Sequence, residues 1–203
     1  MKLPKVIYIG GTPMAGKTTI ARILSCRLQY ECISTDDIGA AITAVTDGEL
    51  NPRFHYMSGQ DHRDYYANTG IRKLIRDINE YHAALWPALR VLINSHATWG
   101  NPLVIEGWAL RPGYMAGLGG DVAGLFLLAD DALIEQRALD SPFTDGAADR
   151  ALMVRRYVER SRRYTSEIRS EITRLGLSAI NVTHMPKPQD IAEECMRVLG
   201  FEG

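Results

Sequence analysis

Gly11-Thr12-Pro13-Met14-Ala15-Gly16-Lys17-Thr18 is the stretch on which the reading of this chain turns. It satisfies G-x-x-x-x-G-K-[ST], and its flanks supply the context that this motif needs. Upstream, residues 5–9 (KVIYI) form a short apolar, β-branched run stopped by Gly10-Gly11, the pattern of a parallel strand buried on both faces. Downstream, Ile20, Ile23, Leu24 and Leu28 recur at helical spacing from Lys17 onward. Glycines allow consecutive N–H groups to point inward, and the following helix adds the positive end of its dipole. A polyphosphate suits such a nest. Lys17 is expected to reach the β- and γ-phosphates, the Thr18 hydroxyl to ligate magnesium and Thr19 to meet the α-phosphate. The candidate nucleotide contacts are therefore Gly11, Thr12, Pro13, Met14, Ala15, Gly16, Lys17, Thr18 and Thr19.

Further along, strand patterns alternate with helical ones. Residues 31–34, 103–105, 122–128 and 179–182 read as four more strands, 103–105 as a buried one. Helical patterns cover residues 38–45, a long stretch from Ile71 in which Pro87 is expected to kink or restart the helix, and residues 131–139, 147–175 and 189–199. This order predicts an α/β, three-layer phosphate-loop NTPase fold: a five-stranded parallel sheet with helices on both faces and a small helical lid. At 203 residues one domain is expected, with a core of 1–48 and 101–203, a helical substrate-region insertion at about 49–100 and a lid at about 137–156.

Composition narrows the partners. The 23 basic and 24 acidic residues nearly cancel, which argues against a surface devoted to nucleic acid or anionic lipid. The spacing of Cys26, Cys32 and Cys195 fits neither a disulfide framework nor a zinc site, so free thiols in a reducing cytoplasm are expected. No run is long enough to span a bilayer and no cleavable leader is evident. A soluble, cytoplasmic monomer or homodimer acting on a small-molecule phosphoacceptor is the expectation.

In parallel sheets ligands gather at the carboxyl ends of the strands, which singles out the residues following each one. Asp36 and Asp37 follow the second strand and face the loop, where an acceptor hydroxyl has to sit. Asp36, first after the strand, is the candidate base; helix capping is the alternative for both. Glu106 closes the hydrophobic run 103–105 as the acid of a Walker B segment does, and is a candidate for magnesium's water shell or for an acceptor group. Between 150 and 174 lie eight arginines and three glutamates, most of them expected on a solvated face. Those flanking residues 140–146 are candidates to fold over the phosphates: Arg137 first, then Arg150 and Arg155. The segment 53–66 (RFHYMSGQDHRDYY) combines cations and rings. Arg53 and Arg63 suit an anionic acceptor group, and Tyr56, Tyr65 and Tyr66 can bond or stack, an exposed loop being the alternative. His184, after the last strand, is a candidate wall of the adenine pocket. None of the five histidines shows metal-ligand spacing.

These features resemble the phosphate-loop kinases of the nucleoside-monophosphate-kinase fold, and within them the 2-phosphoglycerate-kinase-like proteins. The likeness rests on Ile9-Gly10-Gly11-Thr12-Pro13 running into Gly16-Lys17-Thr18-Thr19, and on Ile33-Ser34-Thr35-Asp36. It extends to Val104-Ile105-Glu106-Gly107 with Arg111-Pro112-Gly113, and to residues 164–169. It implies a five-stranded parallel core, ATP as donor, Mg2+, a closing lid, and Asp36 where related 5′-hydroxyl kinases carry the base. The chain has Glu106 where an aspartate is usual, and Trp108, Ala109 and the segment 53–66 match no family pattern, so the acceptor does not carry over. A 2-phosphoglycerate-like acid, a nucleoside or polynucleotide 5′-hydroxyl and an antibiotic all stay open as acceptors, as does a regulatory ATPase or nucleotide-dependent switch.

Overall fold

A computed structural model describes residues 3–57 and 59–201. Its strands are β1 (Val6–Gly11), β2 (Glu31–Ser34), β3 (Leu103–Glu106), β4 (Val122–Leu128) and β5 (Ala179–Asn181). They form one sheet in the order β2-β3-β1-β4-β5, every pairing parallel. Around it run α1 (Lys17–Leu28), α2 (Thr35–Val45), α3 (His62–Asn68), α4 (Ile71–Thr98), α5 (Pro112–Met115), α6 (Asp131–Asp140), α7 (Arg150–Leu175) and α8 (Pro188–Val198), with a 3-10 turn at Pro142–Thr144.

The strands build two cores because successive side chains leave opposite faces of the sheet. Ile7 and Ile9 of β1, Val104 of β3 and Leu125 and Leu127 of β4 join one cluster, with Ile20 and Leu24 of α1 and Ile191 and Cys195 of α8. Val6 and Tyr8, Leu103 and Ile105, and Phe126 and Leu128 join the other, with Leu85, Leu89 and Ile93 of α4 and Met115 of α5. Buried on both faces, these strands read as continuous apolar runs, which is why they were legible. Helix α7 serves both layers: Met153, Val154 and Tyr157 belong to the first cluster, Tyr164, Ile168 and Ile172 to the second.

Two sequence expectations differ in the structure, a restart of the helix at Pro87 and the start of α7. Helix α4 runs through Pro87 without interruption. Proline removes one backbone hydrogen bond there, and burial of Leu85, Leu89 and Ile93 on either side holds the helix together. The same residues carry α4 into the second core cluster, while Tyr65 and Tyr66 of α3 join the first. Helix α7 begins at Arg150, capped by the Asp149 carboxylate, which accepts the Leu152 amide at 2.8 Å; residues 147–149 precede it.

The sheet order places the phosphate loop after the central strand β1, with the ends of β3 and β2 beside it. Register aligns Ile9 with Glu106 and Glu106 with Ser34. Three strand ends therefore deliver Gly11–Thr18, Glu106 and Asp36 to one edge of the sheet, the carboxyl edge where α/β sheets bind ligands.

Candidate active site

The phosphate loop owes its shape to backbone conformations that few residues adopt. Gly11 has φ of +123°, and a Cβ there would lie 2.0 Å from the Leu127 carbonyl oxygen, so only glycine lets β1 pass β4 this closely. Met14 (φ 59°) and Gly16 (φ 87°) are left-handed. Gly16 caps α1 without any side-chain hydrogen bond, leaving the first amides of the helix to the cleft. Thr12 is fully buried: its amide donates to Leu127 O, its hydroxyl accepts the Ala129 amide at 2.9 Å and its carbonyl accepts Lys17 Nζ at 2.7 Å. Thr12 thus braces the loop from beneath, together with Gly11.

A cavity of about 570 Å3 opens over the loop, lined by Pro13, Met14, Ala15, Gly16, Lys17, Thr18 and Thr19 and on its far sides by Asp36, Glu106, Arg137 and Arg160. Lys17 is buried and burial lowers its pKa, while the charges of Glu106 and Asp36 act in the opposite sense. The Thr18 hydroxyl donates to Glu106 Oε1 at 3.0 Å. A hydroxyl and a buried carboxylate oxygen side by side, next to room for phosphates, fit magnesium, which takes oxygen ligands and uses few protein groups. Among the described residues no group of three or more His, Cys, Asp or Glu side chains forms a protein-only metal site.

Asp36 is not spent on capping. Ser34 Oγ caps α2 by accepting the Asp36 amide at 3.2 Å, which leaves the Asp36 carboxylate in the cleft. There Oδ1 accepts the Trp108 indole N–H at 3.2 Å. Asp36 is exposed as a residue, with its side chain on the walls of the cleft. Desolvation in the cleft raises its pKa, against the lowering effects of Lys17, the Trp108 hydrogen bond and Arg160; Asp37 adds a smaller upward push. Trp108 is itself fixed from behind: Tyr164 donates its hydroxyl to the Trp108 carbonyl, and His82 meets the indole edge-on at 4.8 Å.

A second cavity, about 600 Å3, lies on the other side of Asp36. The two share Asp36, Tyr66, Trp108 and Phe143 as their common wall.

The structure also disperses some candidates. Asp37 and Arg53 are exposed, and neither lines a cavity. Arg63 forms a two-pronged pair with Asp61 at 2.6 and 2.7 Å and donates to the Asp145 carbonyl, tying α3 to the loop before α7. Its guanidinium is occupied by a carboxylate and a carbonyl, which removes it from any acceptor anion. Tyr65 points inward and donates to Asp77, whereas Tyr66 lines both cavities. His184 is exposed and outside the cavity wall, where Pro186, Pro188 and Ile191 stand instead. Arg137 donates to the Met14 carbonyl at 2.7 Å, closing the loop from the side of α6. Arg150 is bound to Thr144 and Leu139 within the turn, and Arg155 lies in a separate surface depression with Glu135 and Glu159.

Sequence reasoning missed Arg160. It is 4% exposed, and aromatic rings surround its guanidinium at 4.5 Å (Trp108), 5.0 Å (Tyr66) and 5.0 Å (Tyr157). It donates to the Tyr66 hydroxyl, while its buried Nε has no hydrogen-bond partner. A signal existed: Arg160 falls three residues after Tyr157 and four before Tyr164, inside the apolar stripe of α7 rather than on its solvated face.

No family model matches the chain. A stretch of 129 residues, 63% of the chain, is 25% identical to 2-phosphoglycerate kinase from Pyrococcus horikoshii; it covers 42% of that protein, so the match spans less than half of the relative's length. Among solved structures, shikimate kinase from Acinetobacter baumannii superposes with a TM-score of 0.60 at 14% identity, covering 98% of this chain and 93% of that one. Shikimate kinase from Bacteroides thetaiotaomicron gives 0.61 at 13% identity, with coverage of 96% and 98%. A gluconokinase from Sinorhizobium meliloti gives 0.54 at 17%, with coverage of 98% and 94%. The fold is the kinase-like phosphate-loop fold of the shikimate-kinase type. Its five parallel strands with helices around them match the expectation drawn from the sequence, and no described helix is long and apolar enough to cross a membrane.

Proposed function

We propose that the chain is an ATP- and Mg2+-dependent phosphotransferase that moves the γ-phosphate to a hydroxyl of a small molecule. The observation that carries this reading is the placement of Asp36 on the wall between two cavities, one floored by the phosphate loop and the other free for an acceptor. A switch or regulatory ATPase needs only the first cavity.

In this reading the amides from Ala15 to Thr19 and the ammonium of Lys17 hold the phosphates, and Arg137 keeps the loop closed around them. Asp36 orients the acceptor hydroxyl and takes its proton as the hydroxyl oxygen bonds to the γ-phosphorus. The bond from that phosphorus to the bridging oxygen breaks, and its electron pair stays on the departing ADP. Lys17 offsets the charge that accumulates there. Arg160, desolvated and without a carboxylate salt bridge among the described residues, lies where it can offset charge on the transferring group. Thr18 and Glu106 would hold magnesium, which when bound neutralises phosphate oxygens. The lid, residues 137–156 in this reading, supplies Arg137 and Phe143 to the cavity walls and excludes water when it closes.

Release of ADP should therefore depend on a hydroxyl compound. Purified protein with ATP and Mg2+ is expected to turn over slowly alone and at least tenfold faster with its acceptor; hydrolysis unaffected by a broad panel of alcohols would favour the switch. Arg160→Met, which keeps much of the side-chain volume, is expected to lower kcat about 100-fold with little change in the KM for ATP. Wild-type kcat in that variant would remove Arg160 from the transfer step. The similarity to 2-phosphoglycerate kinase favours a second reading of the acceptor, a phosphorylated acid.

A further inference from the structure

The second cavity has the wrong chemistry for an acid. Phe54, Tyr56, Tyr66, Tyr81, Trp108 and Phe143 stand on its walls, and among the described residues neither a lysine nor an arginine lines it. The two arginines that the sequence offered for an anion are turned elsewhere: Arg53 is exposed, and Arg63 is held by Asp61 and Asp145. The imidazole on the wall, His62, stacks on Phe143 at 4.9 Å and has its Nε2 at 2.9 Å from the Phe143 carbonyl, a distance at which Nε2 donates. The carboxylate of Asp36 stands on the wall shared with the first cavity and would repel an anion. Arg160, the nearest buried cation, lines the phosphate cavity and not this one. An anionic acceptor would be desolvated here beside a like charge with no lysine or arginine on the wall and with His62 already turned to the Phe143 carbonyl and Asp61, and such burial is strongly unfavourable.

The rings, by contrast, pack in two contacting groups on the wall. Tyr81 meets Phe54 edge-on at 6.0 Å and Tyr56 at 5.6 Å, and Tyr66 meets Phe143 at 5.7 Å. Such walls present faces and edges to a planar π-system, and the volume suits a molecule of two small rings. Gly39 of α2 permits this arrangement: a Cβ there would overlap the Tyr81 hydroxyl at 1.7 Å, so the glycine lets α2 and the Tyr81 ring sit against one another.

We infer that the acceptor is an uncharged molecule in which a hydroxyl is carried by, or linked to, a flat unsaturated ring, of the size of a nucleoside or an aryl alcohol, lodged among these aromatic walls with its hydroxyl at Asp36. The inference rests on the phosphotransferase reading for its orientation toward Asp36, although binding of the ring does not need catalysis.

Two measurements separate the claims. In the full chain carrying Trp86→Phe and Trp99→Phe, Trp108 is the remaining tryptophan, and its fluorescence reports occupancy of the cavity. Uridine or 3-phenyl-1-propanol is expected to change that signal saturably, and at least one of them to raise ADP release tenfold or more and appear as its phosphate ester by mass spectrometry. Which of the two does so tells a nucleoside from an aryl alcohol. 2-Phosphoglycerate and shikimate should be at least tenfold poorer in both assays. Ala44→Trp, which fills the cavity from the exposed side of α2, should weaken the neutral probe at least tenfold by titration calorimetry, a readout that the added indole does not disturb, with ATP affinity reporting that the fold is intact. An acid used more efficiently than both neutral probes would overturn the inference and leave the phosphotransferase reading standing. Failure of both neutral probes to bind, or binding indifferent to Ala44→Trp, would also overturn it. Saturable binding that Ala44→Trp abolishes, without phosphate transfer to any hydroxyl, would support the cavity chemistry and remove the phosphotransferase reading.

Discussion

Lys17→Ala is expected to lower acceptor-dependent turnover about 1000-fold while leaving the protein folded. The ammonium is buried between the Thr12 carbonyl, 2.7 Å away, and the carboxylates of Glu106 and Asp36, whose charges oppose the loss of its proton. It is thus held in place before any phosphate arrives, and in the proposed transfer its charge lies where negative charge grows as the terminal group departs. A preorganised charge in a desolvated cleft contributes far more to a transition state than the same charge in water. Folding depends on it less. Burial lowers the folded pKa, so at neutral pH the ionised amine carries a desolvation cost that alanine escapes, and this offsets the lost bond to Thr12. A melting temperature within about 5 °C of the parent, with turnover lost, is the expected pair of results. A Lys17→Ala protein that still transfers phosphate at the parent rate would take the loop out of the chemistry.

Asp36→Asn is the second large effect. Replacing the proposed base with an amide of the same shape is expected to reduce kcat by about 100-fold to 10000-fold, with ATP affinity changed by no more than about twofold. Desolvation raises the Asp36 pKa above its ordinary value, so the parent enzyme should lose activity as pH falls through a midpoint above the usual carboxylate range; in the variant that acid limb should vanish. Stability moves in the other direction. A carboxyl whose folded pKa is raised favours folding at low pH and loses that advantage as pH rises through the folded value, so the ionised group is a cost at neutral pH. The asparagine protein should melt at the same temperature as the parent or higher. Parent-level turnover in Asp36→Asn would move the base elsewhere.

The legible parts of this molecule are those fixed by short-range physics. A buried parallel strand needs an uninterrupted apolar run, and a phosphate nest needs glycines at set intervals, so β1, α1 and the loop between them stand out in the sequence, as do β3 and β4. Asp36 was locatable because it follows a strand. Its release from capping was not, because Ser34 and Asp36 are both good caps and only the folded backbone shows that Ser34 takes the Asp36 amide. The second cavity is assembled from distant places: Phe54 and Tyr56 from a loop, Tyr66 from α3, Tyr81 from α4, Trp108 after β3 and Phe143 from the turn before α7. No local periodicity records such a meeting. Charge misled for a related reason. Arg53 and Arg63 lie among aromatics in the sequence, yet Asp61 and the Asp145 carbonyl claim Arg63. Arg160 looked like one of eight solvated arginines, although its position between Tyr157 and Tyr164 put it on the buried stripe.

The central claim is that the phosphate loop is one half of a transfer site whose other half faces Asp36. It is tested most directly by following the terminal phosphate itself, with ATP carrying heavy oxygen on the γ-phosphate and a neutral ring alcohol as partner. The account predicts that mass spectrometry finds the label in a phosphate ester of the alcohol, and that Asp36→Asn prevents its formation. Label recovered entirely in inorganic phosphate, at a rate indifferent to the alcohol and to Asp36, would contradict it.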